Sequence, residues 1–366
     1  MKLLMHRINR TDQNVHIQRN MEMFRKLGVE VRDVYNEELL RGDLGGADAI
    51  CLNWFENIDG GRAFMPPLRY ARRLIQLRRI KKAGLALLFY MHNRFPHNPR
   101  YPALSRDLYH RLARQADVIL TFSEETGAAL DEMFPGEGFA EKTEVIRPLN
   151  YIGAYPPNPD APVRETRRKY SGKLLVCFLG KISPYKNVEL VIRAARELED
   201  GEIAFLICGE PVSPEYRAQL EAPAAPCKNL SVDFRLIPDT EMAPILEAAD
   251  LLIMPYDVKS AANSGTGRLA FSYGRTVVTP DIPSMNAIPA ELIYKYHYDS
   301  DSEHYDKMLA ALRQAYEDWR RDPESLREKG RALLHLMETD YSEAAIMEQY
   351  RTIFQRLESK RRARGQ

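Results

Sequence analysis

At 366 residues the chain is long for one domain and comfortable for two. Hydrophobic residues make up 45% and charged residues 28%, a globular balance, and a net charge of +1 supplies no global field to draw nucleic acid. No apolar run reaches the roughly 18 residues of a bilayer span, and the opening MKLLMHRINR has too short an apolar stretch for a signal peptide.

In chain order, KLLMH, VEVRDV, ADAICLNW, LALLFY, DVILTF and TEVIRP read as short apolar strands. Between them VHIQRNMEMFRKLG, MPPLRYARRLIQLRRIKKAG and SEETGAALDEMF carry helical spacing. The second lies in a stretch, Gly60 to Arg106, with eleven Arg and Lys and no Asp or Glu. Arg69, Arg72, Arg73, Arg78, Arg79, Lys81 and Lys82 fall there beside Leu74, Ile75, Leu77 and Ile80. Two readings compete: charges solvated around a packed helix, or a helix docking on anionic lipid at about 1 kcal/mol per basic residue.

YIGAYPPNPDAP, Tyr151 to Pro162, is too proline-rich for either element and reads as a linker. The alternation then restarts with KLLVCFLG, IAFLICGE, LSVDFRLI, DLLIMPY and TVVTP as strands. NVELVIRAARELED, PEYRAQLEA, TEMAPILEAA and the segment from Gly265 to Gly274 read as helices between them. The end, YSEAAIMEQYRTIFQRLESKRRARGQ, reads as an amphipathic helix with a basic tail, either supporting the second domain or crossing back to the first. The class is α/β: two doubly wound, Rossmann-like domains facing a cleft, residues 1–152 and 153–340, followed by helix and tail 341–366. Cys51, Cys177 and Cys208 sit in strand runs, and the four cysteines lack metal-ligand spacing. Buried free thiols, no metal and a reduced cytoplasmic setting are expected.

Open α/β sheets bind ligands at the carboxyl ends of their strands, near the switch point. HRINRTDQNVH, after the first strand, has no dinucleotide fingerprint, and no GxxxxGK[ST] occurs anywhere. Two later loops suit an anion. In GKISPYKNVEL, Ser183 is expected to cap a helix, Pro184 to open it and Lys186 to fall in its first turn. An acid would be favoured in that turn, so Lys186, with Lys181 before it, reads as a ligand group rather than a surface lysine. In NSGTGRLAFSYG, Ser264, Gly265, Thr266 and Gly267 are expected to present successive N–H groups at a helix start, a phosphate cradle to which Arg268 adds a charge.

The runs FLGKISPYKNVELVIRAARELED, ICGE, IPDTEMAPILEAADLLIMPY and SGTGRLAFSYGRTVVTPD resemble, in order and spacing, the second domain of GT-B glycosyltransferases. They are closest to the glycogen-synthase-like and mannosyltransferase-like family 4, in its bacterial exopolysaccharide and capsular branch. The resemblance implies that Lys181, Lys186 and the glycine-rich helix start hold the donor diphosphate. It also implies that Gly209 and Glu210 line the pocket and that the loop from Arg235 to Pro238 approaches the base. Retaining members carry two glutamates in this region, where this chain has Ala261 and Leu269.

In the first domain, LALLFYMHNRFPHNPRY resembles the HN-containing loop of exopolysaccharide glycosyltransferases, which implies that His92 lies near the transferred sugar. Asn93 and His97 share that loop. Asn9 and Asn14 are weaker acceptor-side candidates, as are Asn53, Trp54, Phe55 and Glu56 closing the third strand; Glu56 or Glu124 is the candidate base if the enzyme inverts.

The expectation is a metal-independent hexosyltransferase without cofactor. It would move sugar from a UDP- or GDP-sugar to a glycan or lipid-linked acceptor in polysaccharide biosynthesis, in the cytoplasm at the inner face of the membrane. The competing expectations are a sugar-nucleotide epimerase on the same fold and a non-catalytic partner subunit.

Overall fold

The computed structural model describes residues 1–7, 14–58, 64–92, 100–199, 201–259 and 263–363, with side chains to 360. The chain divides into two units, Met1–Leu149 with Tyr341–Gln366, and Asn150–Asp340.

The first unit runs β1 (Lys2–Arg7), α1 (Val15–Lys26), β2 (Glu30–Tyr35), α2 (Asn36–Arg41), β3 (Ala49–Asn53), α3 (Met65–Lys82), β4 (Ala86–Tyr90), α4 (Pro102–Gln115), β5 (Val118–Thr121), α5 (Glu124–Met133) and β6 (Thr143–Val145). All its described strand pairings are parallel, in the order β2-β1-β3-β4-β5-β6. Strands covered on both faces need apolar residues at consecutive positions; β3, β4 and β5 are buried throughout. Met5, Cys51, Leu88 and Leu120 feed one core with α1, while Leu4, Ile50, Leu87 and Ile119 feed the other with α3 and α4.

The second unit runs α6 (Val163–Lys169), β7 (Leu174–Leu179), α7 (Val188–Glu197), β8 (Ile203–Cys208), α8 (Pro214–Ala224), β9 (Leu230–Asp233), α9 (Asp239–Ala248), β10 (Leu251–Ile253), α10 (Gly265–Ser272), β11 (Thr276–Pro280), β12 (Tyr294–Tyr296), α11 (Asp301–Arg321) and α12 (Glu324–Thr339). Its sheet has the order β12-β11-β10-β7-β8-β9. The order reverses between β7 and β10, so the loops leaving those strands straddle the switch point.

The last helix, α13 (Glu343–Ala363), belongs to the first unit. Ile346, Tyr350, Ile353 and Leu357 recur at helical spacing and are all buried in the α1-side core. Phe24 meets Tyr350 edge-on, the Tyr90 and Tyr350 hydroxyls lie 2.8 Å apart, and Lys26 pairs with Glu343 at 2.6 Å. No helix among the described residues is long and apolar enough to cross a membrane.

Candidate functional site

After β7 the chain turns at Gly180, whose φ of 123° suits glycine alone. Beside it, Gly209 at the end of β8 has φ 151°, and a Cβ there would lie 2.0 Å from the Gly180 carbonyl oxygen. These glycines let two strand ends close on each other. The closure continues through Ile182 N–H donating to Glu210 O and Val212 N–H to Ile182 O, each at 2.9 Å. Packing of backbone on backbone therefore accounts for Gly209. The Glu210 side chain is exposed beside it.

The helix expected from Ser183 onward is interrupted. Pro184–Lys186 form a single 3-10 turn, Ser183 caps nothing with its side chain, and α7 starts only at Val188. The break is Asn187, in the left-handed conformation at φ 48°, which asparagine tolerates better than most residues. Its Nδ2 donates to Pro255 O at 3.0 Å, and Asp257 N–H donates to Tyr185 O at 2.7 Å. The loops after β7 and β10 are thereby stitched together across the switch point.

Lys186 thus precedes α7 rather than lying in its first turn. The residue is half-buried, and its ammonium lies 5.4 Å from the Tyr256 ring centroid and 5.9 Å from that of Phe178. Burial pushes its pKa below the ordinary lysine value, with the neighbouring Lys181 lowering it further against the opposing effect of Tyr185. Neither Lys181 nor Lys186 has a carboxylate partner among the described residues. Such a cation is poorly compensated, and an anion would relieve it.

At the start of α10, two of the four expected donors are already engaged. Ser264 N–H donates to Ser284 Oγ at 3.2 Å, and Gly267 N–H to Ser264 Oγ, the N-cap, at 3.0 Å. Among the described residues the N–H groups of Gly265 and Thr266 have no acceptor. A Cβ placed on Gly180 would lie 3.5 Å from both Lys186 Nζ and Thr266 Oγ1. The uncompensated ammonium and the helix start therefore converge at the carboxyl end of β7.

The glycines of α10 differ from each other. A Cβ on Gly267 would meet Met285 Cε at 2.6 Å and Met254 Cε at 3.3 Å, whereas one on Gly265 would find, among the described residues, only the Tyr151 hydroxyl at 3.5 Å. Gly267 faces packed methionines and Gly265 faces outward. The guanidinium of Arg268 lies 5.6 Å from the Tyr151 ring centroid. Arg235 is held by Asp233 and Glu241 at 2.9 and 2.5 Å, beside exposed Leu236. Leu269 is buried, and Ala261 lies outside the described residues.

In the first unit His92, just beyond β4, is 5% exposed. Its ring is stacked between Trp54 (3.8 Å, 12°) and Tyr90 (4.8 Å, 14°), with Phe122 and His16 at its edges. Asn53 Oδ1 is 3.0 Å from His92 Nε2. Trp54 pays for this stack with a left-handed φ of 46°. Phe55 packs in the core under the Arg73 guanidinium, 4.0 Å from the ring centroid. Asn14 is spent capping α1, accepting from His16 and Ile17 N–H, and Glu124 is an exposed first residue of α5. Asn9, Asn93 and His97 lie outside the described residues.

Sequence reading singled out Glu56 but not the buried polar cluster that holds it, with Arg73 and His6. Glu56 is 2% exposed, its Oε2 has no hydrogen-bond partner among the described residues, and burial pushes its carboxyl up to about 7. Arg73, expected among cations either solvated or facing lipid, is buried beside it and bonded to Asn36 and Gln76. His6, fully buried between Asn53 O (3.2 Å) and Asn36 Oδ1 (3.0 Å), is lowered to about 3 by burial and then by the Arg73 charge.

Residues 161–333 match the model of the family described as Glycosyl transferases group 1. A GDP-mannose:glycolipid 4-beta-D-mannosyltransferase of Xanthomonas campestris is 31% identical over 148 residues, which are 39% of this chain and 41% of that protein. A D-inositol 3-phosphate glycosyltransferase of Corynebacterium efficiens is 27% identical over 40% of this chain and 36% of its own length. The chain thus spans about two fifths of the curated relatives it matches.

In fold the likeness is wider. The Anabaena protein Alr3699/HepE, solved in complex with UDP and glucose, covers 97% of this chain and 99% of its own at 12% identity and a TM-score of 0.74. The sucrose-phosphate synthase of Thermosynechococcus elongatus covers 98% and 100% at 13% identity and a TM-score of 0.75. Both share the two-unit α/β architecture of the GT-B fold. The match to the group 1 glycosyl transferase model thus covers residues 161–333, a little under half of the chain, and the fold likeness covers nearly all of it.

Proposed function

We propose that the chain is a glycosyltransferase that takes a hexose from a nucleoside-diphosphate sugar and passes it to a glycan or lipid-linked acceptor. One observation carries the reading: Lys186, half-buried and without a carboxylate among the described residues, converges beside Gly180 with the N–H groups of Gly265 and Thr266, which have no acceptor among those residues. Fixed donors placed where negative charge develops stabilise a departing diphosphate without reorganisation. The family match over the same residues supports the assignment, as does the complex of the Anabaena neighbour with UDP. Lys181 and Arg268 flank the site and steer the same anion.

Residues 1–152 are the acceptor side of this reading and 153–340 the donor side, with His92 beside the transferred sugar. A glycolipid acceptor, of the kind named for the Xanthomonas relative, brings the chain to an anionic membrane surface. Exposed Leu68, Arg72, Ile75, Arg79 and Lys82 on α3 suit that contact.

Thermal shift with GDP, UDP, GDP-mannose, UDP-glucose and the bare nucleosides tests the reading. At least one diphosphate is expected to raise Tm where its nucleoside does not. Lys186→Ala is expected to weaken that ligand by about 1.5–3 kcal/mol, the worth of a charge-assisted bond. Equal response to nucleoside and diphosphate would remove these loops from the site.

A further inference from the structure

Tyr298 follows β12 at the edge of the second sheet and is 5% exposed. β11 lies between β12 and β10, so the side chain reaches past a whole strand to the loop that leaves β10. There its hydroxyl makes two bonds to main chain. It accepts from Val258 N–H at 3.0 Å and donates to Tyr256 O at 3.3 Å. A phenol has one hydrogen to give and lone pairs to receive with, so a single oxygen fastens the peptide groups on both sides of Asp257.

The ring behind that oxygen is itself clamped. It stacks on His304 of α11 at 4.0 Å and 9°, and Tyr296 Oη lies 3.0 Å from His304 Nε2. Burial lowers the His304 pKa to about 4 against the opposing charges of Asp257 and Asp301, so a neutral ring backs the phenol.

The fastened loop is the one that frames Lys186. Asp257 N–H donates to Tyr185 O at 2.7 Å, and Pro255 O accepts from Asn187 Nδ2 at 3.0 Å, so both chain neighbours of Lys186 are bonded to it. Between those ties the Tyr256 ring stands 5.4 Å from the Lys186 ammonium, and the Tyr256 hydroxyl meets the side chains of Thr266 and Ser264 at the start of α10. A lysine carries its charge on a flexible four-carbon stem, so its surroundings decide where that charge sits.

We infer that Tyr298 is a positioning residue: by fixing residues 255–258 it sets the Lys186 ammonium against the start of α10. It acts through Tyr256 and Asp257. The consequence for donor binding rests on the reading of Lys186 as a ligand of the diphosphate; the fixing of the loop does not.

Tyr298→Phe keeps the ring on His304 and removes only the hydroxyl. Amide hydrogen exchange on the full chain, read residue by residue by NMR, should rise at Val258, which loses its acceptor. It should rise also at Asp257, whose own acceptor is untouched. In calorimetric titrations with GDP and with UDP, the better wild-type ligand should be weakened about tenfold, the scale of a lost hydrogen bond. Made in Lys186→Ala, the same change should weaken it by about twofold or less, because the group being positioned is gone.

A tyrosine that only supports the fold would lower Tm with affinity unchanged, or weaken the ligand equally in both backgrounds. Either result overturns the inference, as does Asp257 staying protected while Val258 exchanges. A wild type that binds neither GDP nor UDP would count against the glycosyltransferase reading, and exchange at Asp257 would then decide the inference. If Tyr298→Phe fails to fold, wild-type exchange decides it: Asp257 and Val258 opening together supports one fixed unit, and separate opening overturns it.

Discussion

A bulky residue at Gly265 and one at Gly267 should fail in opposite ways. Among the described residues only the Tyr151 hydroxyl stands near Gly265, so Gly265→Val should fold and melt cooperatively while losing its response to nucleoside diphosphate. Gly267 packs against Met285 and Met254, and Gly267→Ala should cost about 1–3 kcal/mol of overpacking. The surviving folded protein should bind the same diphosphate with little loss. Calorimetric titration beside thermal melts of both variants separates the outcomes; matching behaviour would mean the two positions share one role. The glycines were legible as an SGTG helix start, but which one faces the core depends on methionines 13 residues before and 18 after Gly267, which no local spacing reveals. Glu56 was legible only as an acid near a strand end, because its burial follows from Arg73 and Tyr109 on helices distant in sequence. Its carboxyl is raised by burial from 4.5 to about 7, so the folded chain holds that proton more tightly than the unfolded one. The associated stability is complete below pH 4.5 and is lost as pH rises toward 7. Chemical denaturation of wild type and Glu56→Gln at pH 5 and pH 8 should show the wild type doing relatively better at pH 5. The difference should be at most a few kcal/mol, because each tenfold gain in proton affinity is worth about 1.4 kcal/mol. A pH-independent difference would mean that Glu56 is not held up by its burial.

Among elements, α3 and the turn before α7 show how far pattern carries. Leu77 and Ile80 are buried as their spacing predicts, yet Ile75 is 42% exposed and Arg73 only 7%. Buried positions 66, 73, 76, 77 and 80 face the sheet, and Leu68, Arg72, Ile75, Arg79 and Lys82 form the outward stripe. Lipid docking predicts co-sedimentation with anionic vesicles that weakens with salt, and Ile75→Asp with Arg72→Glu should abolish it. Equal binding to neutral and anionic vesicles would remove the electrostatic account. At Asn187 the left-handed φ and the bond to Pro255 O make one residue both hinge and tie. Asn187→Ala should therefore cost about 1–2 kcal/mol from backbone strain alone, and Asn187→Gly less. The sequence pattern located eleven of the twelve described strands, because parallel strands buried on both faces advertise themselves as continuous apolar runs. It missed β12, three residues of which Lys295 is exposed, and passed over α2, α4, α6, α11 and α12. It also ran α7 through Asn187, since propensity does not register a left-handed residue inside a helical pattern.

The whole molecule is organised so that α13 completes the α1-side core of the first unit. The amphipathic pattern of that helix was plain in the sequence, but its partner was not, because an apolar stripe does not say which surface it covers. Tyr350→Ala should destabilise the first unit by about 3–5 kcal/mol, the usual cost of deleting a buried aromatic. Hydrogen exchange should then rise in β1, β3 and β4 and stay unchanged in β7 and β8. Increased exchange spread evenly over both units would contradict that division. The arrangement also bears on birth order at the ribosome. The second unit is contiguous and emerges complete, whereas the first waits for its final helix until everything between has been translated. At about 5–20 residues per second the wait is roughly 10–40 s. Through that interval Phe24, Tyr90 and their neighbours have no cover, so the half-made first unit is the species a nascent-chain chaperone would have most reason to hold.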